Sequence, residues 1–273
     1  MRPNPKENKR IRVVLFSLCG LVLVYALVSY ALLPVFWRHY EGHERMADLT
    51  LVTQTRLGIP GDALNVALEG EEADVVCAMT AAGWAPADKK TIRTSLKIVG
   101  SVIFDRPYPT APVSDLFYDG KKQDLAFQKA AGDSADTRHH VRFWRALDAG
   151  GDRRPLWVGA ASFDASVGVS GYTGQITHHI AADIDTERDH LTENLAQAGV
   201  AEAISQVSGV GPTIYARNGG GDYYFTDGEM SVVRLAGDCK ANLPAPVVAS
   251  APPLRTSVKN LAFGALAALW RRL

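Results

Sequence analysis

The longest uncharged run in the chain extends for 25 residues, from Val13 to Trp37: VVLFSLCGLVLVYALVSYALLPVFW. At 1.5 Å per helical residue, such a run exceeds the roughly 30 Å hydrocarbon core of a bilayer. Tyr30, Phe36 and Trp37 lie toward its far end, where amphipathic aromatics favour the headgroup layer. A cleaved secretory signal has an apolar stretch of only about 7–15 residues, followed by a small-residue cleavage site. Leu32 to Trp37 offers no such site. The pattern predicts an uncleaved transmembrane helix over 13–37.

Beyond the span the periodicity becomes mixed. Tyr40 to Arg56 is helix-compatible, with Met46, Leu49 and Val52 or Thr53 at three- and four-residue spacing. Leu64, Val66 and Leu68 alternate, which predicts a short strand. Glu71 to Trp84 reads as a helix opened by Glu71, Glu72 and Asp74 and closed by Gly83. A second helix is expected over Lys89 to Phe104, because Ile92, Leu96, Val99 and Ile103 recur at helical spacing behind Asp88. The prolines in Arg106 to Pro112 impose an extended chain.

The rest is dominated by period-two patterning. Two hairpins are expected, one from Leu116–Tyr118 through Asp119-Gly120 to Asp124–Lys129, the other from Tyr223–Thr226 through Asp227-Gly228 to Glu229–Leu235. Further strands are expected at His139–Ala146, Leu156–Phe163, Gln175–Ile180 and Thr213–Arg217, with a late helix over Asp185–Ala198 closed by Gly199. Together these predict an α+β fold: a mostly antiparallel sheet of six to eight strands with three helices, preceded by one transmembrane helix. The expected organisation is a basic tail (1–12), the span (13–37), a connector (38–58), the α+β domain (60–240), an Ala/Pro-rich linker (241–254) and an amphipathic C-terminal helix (255–273).

Composition is that of a globular protein, with 47% hydrophobic and 21% charged residues, and it excludes a disordered chain. Formal net charge is zero, yet charge is unevenly placed. Arg2, Lys6, Lys9, Arg10 and Arg12 precede the span against Glu7 alone, and the last 33 residues hold Arg255, Lys259, Arg271 and Arg272 without an acid. The middle is therefore acidic, which disfavours nucleic acid and suits a membrane-associated protein. Positive charge before the span predicts a cytoplasmic N-terminus and an outward-facing domain, in a two-membrane bacterium a periplasmic one on the inner membrane. Cys19 lies within the span; Cys77 and Cys239 are either a disulfide or two separate buried thiols. In the C-terminal helix, Val258, Leu261, Ala262, Ala265, Leu266, Leu269 and Leu273 form an apolar stripe suited to a membrane surface or to the domain itself, with Lys259, Arg271 and Arg272 placed to meet anionic headgroups.

No phosphate-binding loop, dinucleotide fingerprint, nucleophile elbow, HExxH or CxxC is present. The candidate chemistry rests on two pairs, His139-His140 and His178-His179, each on an expected strand that sends one imidazole to either face. Val141 and Phe143 share a face with His139, which leaves His140 with Arg142. Asp183 and Asp185 follow the second pair closely. Structural hydrogen bonding, a metal or catalytic cluster and an anion-binding face all fit these residues. In the metal reading, His140, His179 and Asp183 hold a divalent ion. No cofactor is required by the sequence. Arg217-Asn-Gly-Gly-Gly-Asp222 is either an anion cradle, with Arg217 as clamp, or a flexible turn.

The segments KKQDLAFQK (Lys121–Lys129), RHHVRFW (Arg138–Trp144), RPLWVGAASFD (Arg154–Asp164), TGQITHHI (Thr173–Ile180), DIDTERD (Asp183–Asp189) and RNGGGDYYFTDG (Arg217–Gly228), in this order, resemble the LssY C-terminal domain family. LNVALEG and RPYPTAPVS upstream resemble its first segments, so the likeness covers about residues 60 to 236. Members are found behind membrane-embedded DedA-like or type 2 phosphatidic acid phosphatase-like segments in bacteria. The resemblance implies a bacterial membrane context and a role for the two His-His motifs. One apolar span stands here in place of those segments, so no phosphatase activity is carried over. The expected function is a membrane-anchored accessory or binding domain of the cell envelope, with a lipid, a lipid-linked molecule or a membrane protein as partner. The alternative is a metal- or His-dependent hydrolase acting on a phosphorylated or lipid-linked substrate near the membrane.

Overall fold

The computed structural model describes residues 5–38, 46, 49–50, 52–88, 113–132, 136–150, 153–208 and 215–270. The expected helix over Lys89–Phe104 and the extended segment Arg106–Pro112 lie outside these residues. The apolar run folds as α1 (Pro5–Leu27), a π turn (Val28–Leu32) and α2 (Leu33–Phe36). Pro34 lacks the N–H that would bond the Tyr30 carbonyl, and the turn before it widens so that Leu33 N–H reaches Val28 O instead. From Lys9 to Phe36 this is one helical path of 28 residues, long and apolar enough to cross a membrane, and its most apolar 18 residues are unburied.

The body follows as β1 (Val52–Gln54), β2 (Pro60–Ala63), β3 (Val66–Glu69), α3 (Glu72–Ala81) and β4 (Ala85–Pro86). Next come β5 (Phe117–Tyr118), β6 (Lys121–Lys122), β7 (Leu125–Ala130), β8 (Arg138–Leu147), β9 (Leu156–Val169) and β10 (Ile176–Ile180). The last elements are α4 (Ile184–Gln197), β11 (Ala201–Ser208), β12 (Ala216–Arg217), β13 (Tyr223–Tyr224), β14 (Glu229–Leu235), β15 (Val247–Ser250) and α5 (Leu254–Trp270). The main sheet has nine strands in the order β15-β11-β14-β3-β9-β8-β7-β4, with β10 paired to the far end of β9 on the edge opposite β8. Among the described strands of this sheet, β15–β11 and β14–β3 are the parallel pairs. The fold is α+β, as expected.

Both faces of this sheet are buried. α3 and α4 cover one, over Val66, Leu68, Phe127, Val141, Phe143, Trp157 and Val233. The other packs Ala67, Trp144, Val158, Ala160 and Val232 against Leu116 and Tyr118 of the small sheet β2-β1-β5-β6. The central strands β3 and β9 therefore read as apolar runs rather than alternating ones. Glu71 and Asp74 form a reciprocal cap on α3, and Asp183 caps α4 by accepting from Thr186 N–H.

Several sequence expectations are corrected. Val52-Thr53-Gln54 is a strand, because β-branched Thr53 is buried and its hydroxyl donates to Asp62 O on β2. Asp119-Gly120 makes a hairpin only between β5 and β6; β7 pairs with β8 instead. Asp227-Gly228 makes none, since β13 pairs with β12 and β14 runs between β11 and β3. The Asp227 carboxylate is held instead by Arg188 and by Glu229 N–H. The linker supplies an edge strand, β15, whose Val247 and Val248 pair with Ala203 and Ile204. Cys77 on α3 and Cys239 after β14 form a disulfide.

Candidate functional site

Alternation along β8 sorts its side chains. Arg138, His140 and Arg142 point to the small-sheet side, while His139, Val141 and Phe143 point to the helices. Cross-strand neighbours complete the polar side: Gln128 of β7 lies opposite His140, and Asp164 of β9 lies opposite Arg138. Asp62, Gln128, His140, Arg142 and Asp164 are all buried.

These groups form one chain of charges. Arg142 Nη1 donates to Asp62 Oδ2 at 2.9 Å and contacts His140 Nε2 at 3.0 Å, while its Nε donates to Ser114 O. A guanidinium only donates, so His140 Nε2 is the acceptor and the neutral ring carries its proton on Nδ1. Nδ1 lies 3.3 Å from Asp164 Oδ1, close enough for attraction but out of line for a hydrogen bond. Arg138 Nε donates to Asp164 Oδ2 at 2.8 Å, and Nη1 donates to Gln128 Oε1. Burial alone would raise the Asp164 pKa, but His140, Arg138 and His178 pull it well below the usual carboxylate range. Burial likewise lowers Arg142 against the charge of Asp62. Among the described residues, buried Gln128 Nε2 has no hydrogen-bond partner and His140 Nδ1 has no well-aligned one; the buried phenol of Tyr224, on β13 and within reach of the Asp62 charge, also makes no hydrogen bond. Burial, and then the charge of Asp62, push the Tyr224 phenol up.

The second pair divides between two acids. His178 Nδ1 stands 4.0 Å from Asp164 Oδ2, and burial lowers its pKa against the pull of that carboxylate. His179 Nδ1 meets Asp222 Oδ1 at 2.5 Å. Asp222 Oδ2 also accepts from Ile180 N–H and Asn218 Nδ2, and Asn218 Oδ1 folds the glycine run by accepting from Gly220 and Asp222 N–H. The His179 ring lies across Gly168, where a Cβ would collide with Nε2. Arg217 is turned onto its own hairpin, donating to Gly221 O and stacking 3.5 Å over the Tyr223 ring.

On the helix side, His139 Nδ1 donates to Glu187 Oε2 at 2.8 Å and its ring stacks on His190 at 4.3 Å. Asp185 joins a separate buried group: it accepts from Thr226 Oγ1 and Asp227 N–H, while Arg188 bridges it to Asp227. Burial raises Asp185 to about 7; Arg188 opposes this and Asp227 adds to it.

The candidate residues thus separate. Arg142, His140 and His178 gather around Asp62 and Asp164; His179 joins Asp222; His139, Asp185 and Arg217 lie in other surroundings. The proposed ligand trio His140, His179 and Asp183 is not assembled. His179 is bonded to Asp222 and Asp183 caps α4, and among the described residues no three His, Cys, Asp or Glu side chains are placed to hold a metal. Sequence reasoning passed over Asp62, Gln128, Arg138, Asp164 and Tyr224. Two signals were present: a single carboxylate in the apolar run LWVGAASFD, and the period-two Arg138-x-His140-x-Arg142.

A family model described as LssY C-terminus matches residues 37–230. The chain belongs to the LssY C-terminus family. The match takes in β1 to β13 and the start of β14, and so includes every residue of the polar cluster. No curated protein and no solved structure matches the chain.

Proposed function

We propose that this LssY C-terminus protein is a membrane-anchored accessory domain of the bacterial cell envelope that binds the oxygen-rich head of a lipid or lipid-linked molecule. The observation carrying this reading is that Gln128 Nε2 and Tyr224 Oη are buried without a hydrogen-bond partner among the described residues, while His140 Nδ1, on the strand opposite Gln128, has only the poorly aligned Asp164 carboxylate at 3.3 Å. A buried polar atom left unpaired costs about 1–3 kcal/mol. Two of the three are donors and the third can donate, so the matching partner is rich in oxygen. The helix Lys9–Phe36 supports the anchor, and the basic residues before it support a cytoplasmic N-terminus. The Cys77–Cys239 bond supports a periplasmic domain.

The test is mass spectrometry of lipid that co-purifies with the full chain in mild detergent. A defined species should accompany the wild type and fall away in Gln128→Leu and Tyr224→Phe, which keep side-chain volume. If folded wild type and variants carry the same bulk membrane lipids, the reading fails.

A second reading, a His-dependent hydrolase for phosphorylated or lipid-linked substrates, is favoured by one observation. Asp222 accepts a hydrogen bond from Nδ1–H of half-exposed His179, which leaves Nε2 as the basic nitrogen. Phosphate release from a membrane lipid extract, abolished in His179→Gln, would support it; release unchanged in that variant would sink it.

A further inference from the structure

We propose that α5 lies along the membrane, its apolar face in the headgroup–acyl boundary of the leaflet at the Trp37 end of the span. This rests on the membrane-anchor reading and goes beyond it, because it gives the folded domain a second lipid contact.

The helix is inside out for one packed in water. Its inward face carries Thr256 and Lys259, both buried, with Phe263 and Ala267. Lys259 Nζ meets Glu229 Oε1 at 2.6 Å and the Asp227 carbonyl, and Phe263 lies 6.1 Å from the Phe225 ring. The lysine expected to meet headgroups is therefore committed to the protein. Leu254, Val258, Leu261, Leu266 and Leu269 face outward, between 46% and 81% exposed. With Ala262, Ala265 and Ala268 they form an arc over almost half the helix circumference, unlike the polar outer face of a soluble surface helix.

The occupant of this face follows from its position. α5 packs beside α2, at the end of the apolar span, and Lys259 Nζ sits 4.3 Å from the centre of the Trp37 ring. Trp37 closes the uncharged run, in the layer where tryptophan marks the membrane boundary. A helix held one side chain from that boundary, with leucines outward, meets lipid. Its uncharged stretch Leu261–Trp270 is too short to span, and Lys259, just before that stretch, ties the helix to the domain, so it lies along the surface.

The test uses the full chain with Cys19→Ser, which leaves the Cys77–Cys239 bond intact and allows one added cysteine to be labelled. A polarity-sensitive fluorophore is placed at Leu261→Cys, at Leu269→Cys and, as a water-facing reference, at Glu202→Cys. The protein is reconstituted into phosphatidylethanolamine–phosphatidylglycerol vesicles. Probes at 261 and 269 should emit to the blue of the 202 probe, be quenched by shallow spin-labelled lipid and lose quenching by aqueous iodide. If the chain floats with vesicles but the 261 and 269 probes are as open to iodide as 202, the inference fails and the anchor stands. Shielding from both quenchers would overturn it in favour of a protein partner on this face. A chain that does not float with vesicles at all would remove the anchor reading as well.

Discussion

Asp164 is the residue on which most of the polar sheet face depends. It neutralises Arg138, attracts His140 and faces His178, all where water is excluded. Removing one member of a buried ion pair leaves the other charge uncompensated, at a cost of about 3–5 kcal/mol. Asp164→Ala should therefore lose that much stability in urea unfolding of the full chain in detergent, far more than an exposed substitution such as Asp148→Ala. Acid and alkaline dependence have opposite sources. His178 sits below its unfolded value of about 6.5, so its contribution is present above that pH and lost as pH falls through the folded value. Asp185, raised to about 7, binds its proton more tightly in the fold; its contribution is present below about pH 4 and lost as pH rises through 7. Comparing unfolding midpoints at pH 5 and pH 8, Asp185→Asn should remove this downward slope; an unchanged slope would show that another group carries it.

At the scale of elements, α5 is held by a lysine rather than by its leucines. Burial raises the Glu229 pKa, and Lys259, with Ser208 Oγ, works against that rise. Lys259→Met should destabilise the protein by about 3–5 kcal/mol, and adding Glu229→Gln should restore most of the loss, as buried pairs replaced together often do. Thermal unfolding of the two variants, with protease susceptibility around residues 244–253, checks this. Equal losses in single and double variants would mean that packing, not the ion pair, seats the helix. Strands and capped helices whose signals are local, such as β8, α3 and α4, agree with their sequence patterns. The Asp-Gly turns do not behave alike, because a turn dipeptide sets positive φ but not which strands pair across it: Asp119-Gly120 makes a short hairpin, whereas Asp227 is drawn to Arg188.

Across the whole molecule, the Cys77–Cys239 bond closes a long loop, joining α3 to the segment after β14 over 162 residues. Chain-entropy arguments assign such a closure about 5 kcal/mol. Cys77→Ser/Cys239→Ser should lower the thermal midpoint markedly, and reductant should lower the wild type but not the double variant. A reporter fused after Leu273 tests the proposed topology: alkaline phosphatase should be active there, and a reporter that works only in the cytoplasm should be silent.

The sequence by itself determined the apolar span, the α+β class, the faces of β8 and the two capped helices, because each depends on composition or on neighbours within a few residues. It also marked both histidine pairs as unusual. Only the tertiary structure decided their partners. His140 and His178 share Asp164, whereas His179 takes Asp222 from a loop 43 residues further on. Asp62, 80 residues before Arg142, reaches it only because β2 folds over the second face of the sheet. Hydrophobic periodicity shows which face a residue occupies, but it holds no record of which distant carboxylate arrives there, since that follows from strand order and from how layers stack.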